Sequence, residues 1–330
     1  MDFNYLVMKK KSEGKGYFVI SLDFELMWGV LDLPSKVEYS RNIIQGRDAI
    51  PHILDLFEKY KIHATWATVG MIFLDNKCMI NQYAPQKKPD YTNKKYSSYS
   101  YIDGIKEGKD DNLFFARNIL GEIMKRTGQE IGTHTFSHYY CSEDGADAES
   151  FFQDLLAAKR IAKDSIGIEL NSLVFPRNQA RKEFVKAAEK AGIKIWRGNA
   201  KGYSVDKSPI VSFVNRITRL IDTYLPLYGP LCYDKPSSDV HIVCEKSSRF
   251  FRPYSEKLRM LEWLKLRRIK RQMKYAAKNG KVFHLWWHPH NFGGYPEKML
   301  CQLETILQYY TELNNKYDYT SCSMSELIDL

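Results

Sequence analysis

Tyr17-Phe18-Val19-Ile20-Ser21-Leu22-Asp23-Phe24-Glu25 is the stretch that decides the fold. Its first six residues form a short apolar run rich in strand formers, and the run ends at two acids, Asp23 and Glu25. A buried strand delivers side chains to its C-terminal edge in this way. Residues Arg47 to Tyr60 follow, with Ile50, Ile53, Leu54 and Phe57 at helical spacing, and then a second apolar strand in His63 to Gly70. Together the three segments predict a βαβ unit.

Downstream the same alternation predicts helix Asn112 to Arg126, strand Glu130 to Thr135, helix Ala148 to Ile166 and strand Ser172 to Phe175. Helix Gln179 to Ala191, strand Lys194 to Arg197, strand Lys281 to Trp287 and helix Glu297 to Tyr317 complete it. The fold class is therefore α/β, either a (β/α) barrel or an open doubly wound sheet, and both gather their chemistry at the C-terminal strand ends. Two stretches break the rhythm. Asp75 to Asp111 is polar and rich in Tyr, Lys and Ser, as a long surface loop or lid is, and Asn199 to Tyr254 has no clear pattern. No internal repeat is present.

With 44% hydrophobic and 27% charged residues, the 330-residue chain can bury a sizeable core, as one large domain with insertions or as two domains. Met1 to Gly16 offers only the apolar run Tyr5 to Met8 before three lysines, unlike a secretion signal, and no run approaches the roughly 18 apolar residues of a membrane span. These features predict a cytoplasmic protein. Cys78, Cys141, Cys232, Cys244, Cys301 and Cys322 form no CxxC pair and read as reduced thiols. A net charge of +10 favours an anionic partner such as a membrane surface, a nucleic acid or a phosphorylated glycan carrier.

Candidate chemistry begins at Gly132-Thr133-His134-Thr135-Phe136-Ser137-His138, where two histidines stand four apart just beyond a strand. One helical turn there would put both imidazoles on one face, a spacing that can bind one divalent ion. A histidine pair this close also arises without function. Asp23 and Glu25 are solvated acids at a strand end or, so near an apolar run, are paired or bound to a cation. A carboxylate with two histidines is a ligand set that leaves positions open for water and substrate, and the remaining carboxylate can then act as a base. In Phe283-His284-Leu285-Trp286-Trp287-His288-Pro289-His290-Asn291-Phe292-Gly293, three of the chain's eight histidines flank two tryptophans. Histidine can serve as a general acid and indole can stack on sugar rings, whereas Phe283, Leu285 and one tryptophan read as core. Phe175-Pro176-Arg177-Asn178 ends another strand, and Arg177 could orient a catalytic carboxylate through a bidentate contact or form a surface ion pair.

These motifs, in this order, resemble those of the polysaccharide deacetylase family, the NodB-homology group of carbohydrate esterases. His134-Thr135-Phe136-Ser137-His138 matches that family's His-(Ser/Thr)-x-x-His metal motif in full, and the resemblance runs from Tyr17 to the final helix. It implies a distorted, seven-stranded, TIM-like (β/α) barrel, one catalytic domain over 1–330 with insertions at about 75–111 and 199–254. It also implies a divalent ion, zinc first with cobalt and nickel as alternatives, held by His134, His138 and an acid of the first motif. Asp23, matching the family's first aspartate, would take the proton of the attacking water, His288 would protonate the departing sugar amine, and Arg177 would hold Asp23. Trp286, Trp287, His290, Asn291 and Phe292 would bind substrate. Many members carry adjacent aspartates in the first motif, whereas here Phe24 intervenes. Because alternate strand residues share a face, Glu25 is assigned as the ligand. The usual Arg-x-x-Pro-Tyr element is not at Arg177, although Arg249-Phe250-Phe251-Arg252-Pro253-Tyr254 has some of its letters. His288 follows its strand directly and is preferred over His290 as the acid.

The implied activity is removal of an N-acetyl or O-acetyl group from a sugar in a surface polysaccharide or its cytosolic, lipid-linked precursor. Alternatives are a small-amide or cyclic-amide hydrolase on the same fold and an inactive carbohydrate-binding relative. Lys257 to Lys278 holds nine Lys and Arg against one Glu, with Leu258, Leu261, Ile269, Met273 and Ala276 on a common helical face interrupted by Lys265. Such a helix either packs on the barrel with a solvated basic face, the favoured reading, or lies on an anionic membrane at its inner face. No nucleic-acid recognition motif accompanies it, so no nucleic acid is expected.

Overall fold

A computed structural model of the chain describes residues 14–33, 36–201, 209–237 and 241–330, so the run Tyr5 to Met8 lies outside the described residues. Nine strands are found among them: β1 Gly16–Phe24, β2 Ala64–Thr68, β3 Gln129–Thr133, β4 Ser172–Leu173, β5 Ile195–Gly198, β6 Val243–Lys246, β7 Arg249–Phe250, β8 Val282–Trp287 and β9 Tyr319–Cys322. They pair in parallel in the order β6-β5-β4-β3-β2-β1-β8-β7, with β9 also on β1.

The sheet closes on itself because residues 243–250 change partner midway. Val243 to Lys246 pair with β5, the amide of Ser247 donates to the carbonyl of Gly198 at 2.9 Å and that of Ser248 to His284 at 2.9 Å, and Arg249 and Phe250 then pair with β8. One edge of β1 is likewise shared, with β9 along Gly16 to Val19 and β2 along Ser21 to Phe24. The result is a distorted α/β barrel. Its strand count exceeds the seven expected because one ring position is split into β6 and β7 and β9 is wedged beside β2.

Alternation along β1 explains why the strand is apolar throughout. Phe18, Ile20, Leu22 and Phe24 join the large core under the surrounding helices, while Tyr17 and Val19 join a smaller cluster inside the barrel. Each such side chain contributes about 2 kcal/mol when fully buried. Ser21 and Asp23 continue the inward row and bring polarity to the barrel mouth.

Several elements differ from expectation. The helix predicted over Asn112 to Arg126 breaks into Asp111–Phe114 and Arg117–Met124, since Phe115 is extended and the amide of Ala116 donates to Ile72 at 3.0 Å. Within Asn199 to Tyr254 lie helix Pro209–Tyr224 and the closing strands β6 and β7. Asp75 to Asp111 is not a free lid: the hydroxyl of Ser98 donates to the carbonyl of Ser137 at 2.7 Å, and Tyr91 accepts from the amide of Tyr140 at 2.8 Å. Helix Glu262–Lys278 packs its face of Ile269, Met273 and Ala276 inward, as the barrel-packed reading requires. Lys265 fits within that buried stripe because it pairs with Glu262 at 2.6 Å and donates to the carbonyl of Arg252. Leu258 and Leu261 precede the regular helix, and Leu261 is exposed.

Candidate metal centre

Glu25 lies one residue past β1, and His134 and His138 follow β3, so strand ends on either side of β2 bring the three together. Their ligand atoms all lie within 4.8 Å of one another, and all three residues are buried. No helical turn does this. Residues 134 to 138 form an irregular loop in which Thr135 (φ 66°) and His138 (φ 57°) are left-handed, a costly conformation for side chains with a Cβ. Hydrogen bonds hold it. Thr133 Oγ1 accepts from the amide of Thr135 at 3.0 Å, Thr135 Oγ1 accepts from that of Tyr139 at 2.8 Å, and buried Asp154 accepts from the amides of Phe136 and Ser137 and the hydroxyl of Ser137. Burial pushes Asp154 up to about 6 against those bonds.

His134 Nδ1 lies 2.8 Å from the carbonyl of Val174, which can only accept, so Nδ1 carries a hydrogen and Nε2 presents its lone pair to the site. Glu25 Oε2 stands 3.4 Å from that Nε2 and 3.0 Å from His138 Nε2. With their lone pairs turned inward, these three groups can share one cation between them. Ligand atoms about 2.0–2.2 Å from a tetrahedral ion stand roughly 3.4 Å apart, so the donor set fits a divalent cation of zinc's size. Burial would raise the Glu25 carboxyl, but His288 and the imidazoles of His134 and His138 beside it outweigh burial and hold it well below the usual range. Gly29 leaves the space that Glu25 fills, for a Cβ there would lie 2.0 Å from its carboxylate carbon.

Asp23 is held by Arg197. Arg197 Nη1 donates to Oδ1 at 2.6 Å and Nη2 to Oδ2 at 2.7 Å, with further bonds to Ser21 Oγ at 2.9 Å and Asn178 Oδ1 at 3.0 Å. The guanidinium also lies 4.2 Å from the centroid of the Trp286 ring. Burial acts to raise the Asp23 carboxyl, yet Arg197, with His134 and His288, holds it below the usual range. The assignment of this role to Arg177 is therefore corrected: Arg177 donates to Asp32 at 2.5 Å and covers the Tyr140 ring at 4.4 Å, at the rim. Arg177 is left-handed at φ 54°, whereas Arg197 projects from β5 across the interior to β1. A cation at the end of an apolar strand needs a carboxylate partner, and that was the available signal for Arg197. Arg249 has its own partners in Asp222 and Gln272 and lies outside the site.

His288 Nε2 stands 3.7 Å from both Asp23 Oδ2 and Glu25 Oε1, with Asn291 Oδ1 3.3 Å from its Nδ1. Its side chain is 22% exposed, so it faces the opening. His290 is stacked on it at 4.8 Å between ring centroids and lies 4.0 Å from Glu25. Burial, then the charge of His288, lowers His290 to about 3, so it is a poor proton donor near neutrality. Trp287 and Phe292 are fully buried and pack with Phe251, which corrects their assignment to substrate. Trp286 is half-buried over Arg197, and Asn291 serves His288. Beneath the site, His284 Nδ1 is 3.3 Å from Glu245, and burial lowers the imidazole and raises the carboxyl.

The family model for polysaccharide deacetylase matches residues 43–196, just under half of the chain; it includes both metal-motif histidines but neither Asp23, Glu25 nor His288. Among solved structures, the chain resembles a candidate polysaccharide deacetylase from Mycobacterium smegmatis, with a TM-score of 0.58 and 9% identity over 97% of this chain and 92% of that one. It also resembles a 4-alpha-glucanotransferase from Thermococcus litoralis, with 0.54 and 15% over 96% of this chain and 40% of that one. A GH57-type branching enzyme from Pyrococcus horikoshii gives 0.50 and 13% over 96% and 70%. At these identities the likeness is one of fold. No curated protein sequence matches the chain.

Proposed function

We propose, from the polysaccharide deacetylase match over residues 43–196 and the residues gathered at the barrel mouth, that this protein is a metal-dependent hydrolase that removes the acetyl group of an N-acetylated sugar. The observation that carries this is the convergence of Glu25, His134 and His138 beside an arginine-held Asp23 and a partly exposed His288. Glu25, His134 and His138 would hold a divalent cation, which would supply Lewis acidity towards the acetyl carbonyl and the attacking water. Asp23, kept ionised by Arg197, accepts the proton of the attacking water, and the two-point contact fixes its free lone pairs towards the mouth. His288 lies beside the same carboxylate and gives a proton from Nε2 to the departing amine. Its Nδ1 hydrogen is directed at Asn291, which holds the ring's orientation. Arg177, lying over the buried Tyr140 ring, forms part of the rim that a saccharide would meet.

Metal content of the wild type and His134→Ala, with acetate release from N-acetylated glycans followed in parallel, tests the proposal. The expected outcome is about one ion per wild-type chain, with ion and activity both lost in the variant. A wild type that takes up no zinc, cobalt or nickel and releases no acetate would overturn it.

A further inference from the structure

Helix Glu262–Lys278 and the chain after helix Pro209–Tyr224 enclose a groove of about 370 Å3, between Leu225, Pro226 and Tyr228 on one wall and Leu264, Arg267 and Arg271 on the other. Large apolar side chains lie in the open around it. Met260 is 77% exposed, Trp263 55%, Leu225 52% and Leu227 50%. Ile217, Leu220 and Ile221 are also exposed, at helical spacing with groove-lining Tyr224. Exposed apolar residues are ordinary when scattered, whereas a cluster of this kind on two adjoining elements marks an interaction surface.

Charge identifies the partner. The inward basic residues of the helix have carboxylate partners, Lys265 in Glu262 and Arg268 in Asp222. Arg267, Arg271, Lys274 and Lys278 lie exposed on its outer side, and no carboxylate lies within 4.0 Å of Arg267 or Arg271 among the described residues. A second copy carrying the same +10 charge would be repelled from such a face. Nucleic acid would leave the aliphatic side chains without bases to cover them. An anionic bilayer satisfies both features, for phosphates meet the arginines while aliphatic and indole groups enter the headgroup boundary.

We propose that this groove and its flanking side chains are a docking surface for an anionic lipid bilayer. The surface differs from the helix face read from the sequence, which is buried on the barrel. The chain leaves β7 at its C-terminal end and returns along the helix to the start of β8, so Met260 and Trp263 lie at the barrel end that carries Asp23 and His288. A glycan on a lipid carrier would thereby be presented to the mouth. That consequence rests on the deacetylase reading, and the docking itself does not.

Flotation of the full chain with vesicles of phosphatidylcholine, alone or with about 30% phosphatidylglycerol, tests the docking without any activity readout. Binding is expected only to the anionic vesicles, with release in about 0.5 M salt. Arg267→Gln with Arg271→Gln should weaken it about tenfold or more, and Met260→Ser with Trp263→Ser should do the same, with circular dichroism unchanged. Failure to float, or flotation unaltered by both double variants, would overturn the proposal. So would full displacement by a short DNA duplex that binds the Ser variant as well as the wild type, or dimerisation through this face without vesicle binding.

Discussion

Arg197 shows how much chemistry one side chain can set. It is buried with Asp23, and a buried charge left without its partner costs several kcal/mol, so the pair stands or falls together. Burial pushes the Asp23 carboxyl up and Arg197 brings it below the usual range, so the base remains ionised in acid. In Arg197→Met the lowering contact is gone and burial dominates, which raises the Asp23 pKa and protonates it at a higher pH. The acid limb of the pH–rate profile for acetate release should therefore move upward, with activity reduced about a hundredfold by loss of orientation. Arg177→Met, which changes the rim contacts with Asp32 and Tyr140 and none with Asp23, should leave that limb in place. Equal behaviour of the two variants would reassign the positioning role.

The loop of residues 134 to 138 is the element on which the centre depends, and Asp154 on helix Ala148–Ile166 is its anchor. Its folded pKa of about 6 exceeds the ordinary 3.8, so the native state favours the protonated acid. The stability this contributes is complete below about pH 4 and is lost as pH rises through about 6. Asp154→Asn cannot titrate and should show no such loss, so its denaturation midpoint should gain on the wild type between pH 4 and 7, by at most about 3 kcal/mol. Asp154→Ala, which leaves two amides and a hydroxyl without their acceptor, should destabilise by about 3 kcal/mol or more at any pH. A wild type and Asp154→Asn with parallel pH curves would contradict this account.

At the scale of the whole molecule, the proposed ion ties β1 to β3 through their ends and so should stabilise the barrel. An ion at a hundred times its Kd contributes about 3 kcal/mol, so chelation should lower Tm by several degrees, an effect absent in His134→Ala. Calorimetry with and without chelator would detect it, and identical shifts in both proteins would argue against a bound ion. Among the described residues no helix is long and apolar enough to cross a membrane. What the sequence by itself determined is local: the apolar β1 run, the spacing of helix Ala148–Ile166 and the residues Asp23, Glu25, His134, His138 and His288 are legible because periodicity and residue type are properties of contiguous chain. Tertiary structure decided the rest. Arg197 meets Asp23 across the barrel, residues 243–250 become strands only because β5 and β8 present free edges to them, and Trp287 is core rather than substrate platform because Phe251 and Phe292 cover it. Each of these depends on partners brought together by barrel closure, and a charge or an indole in one segment of sequence does not carry the position of its partner in another.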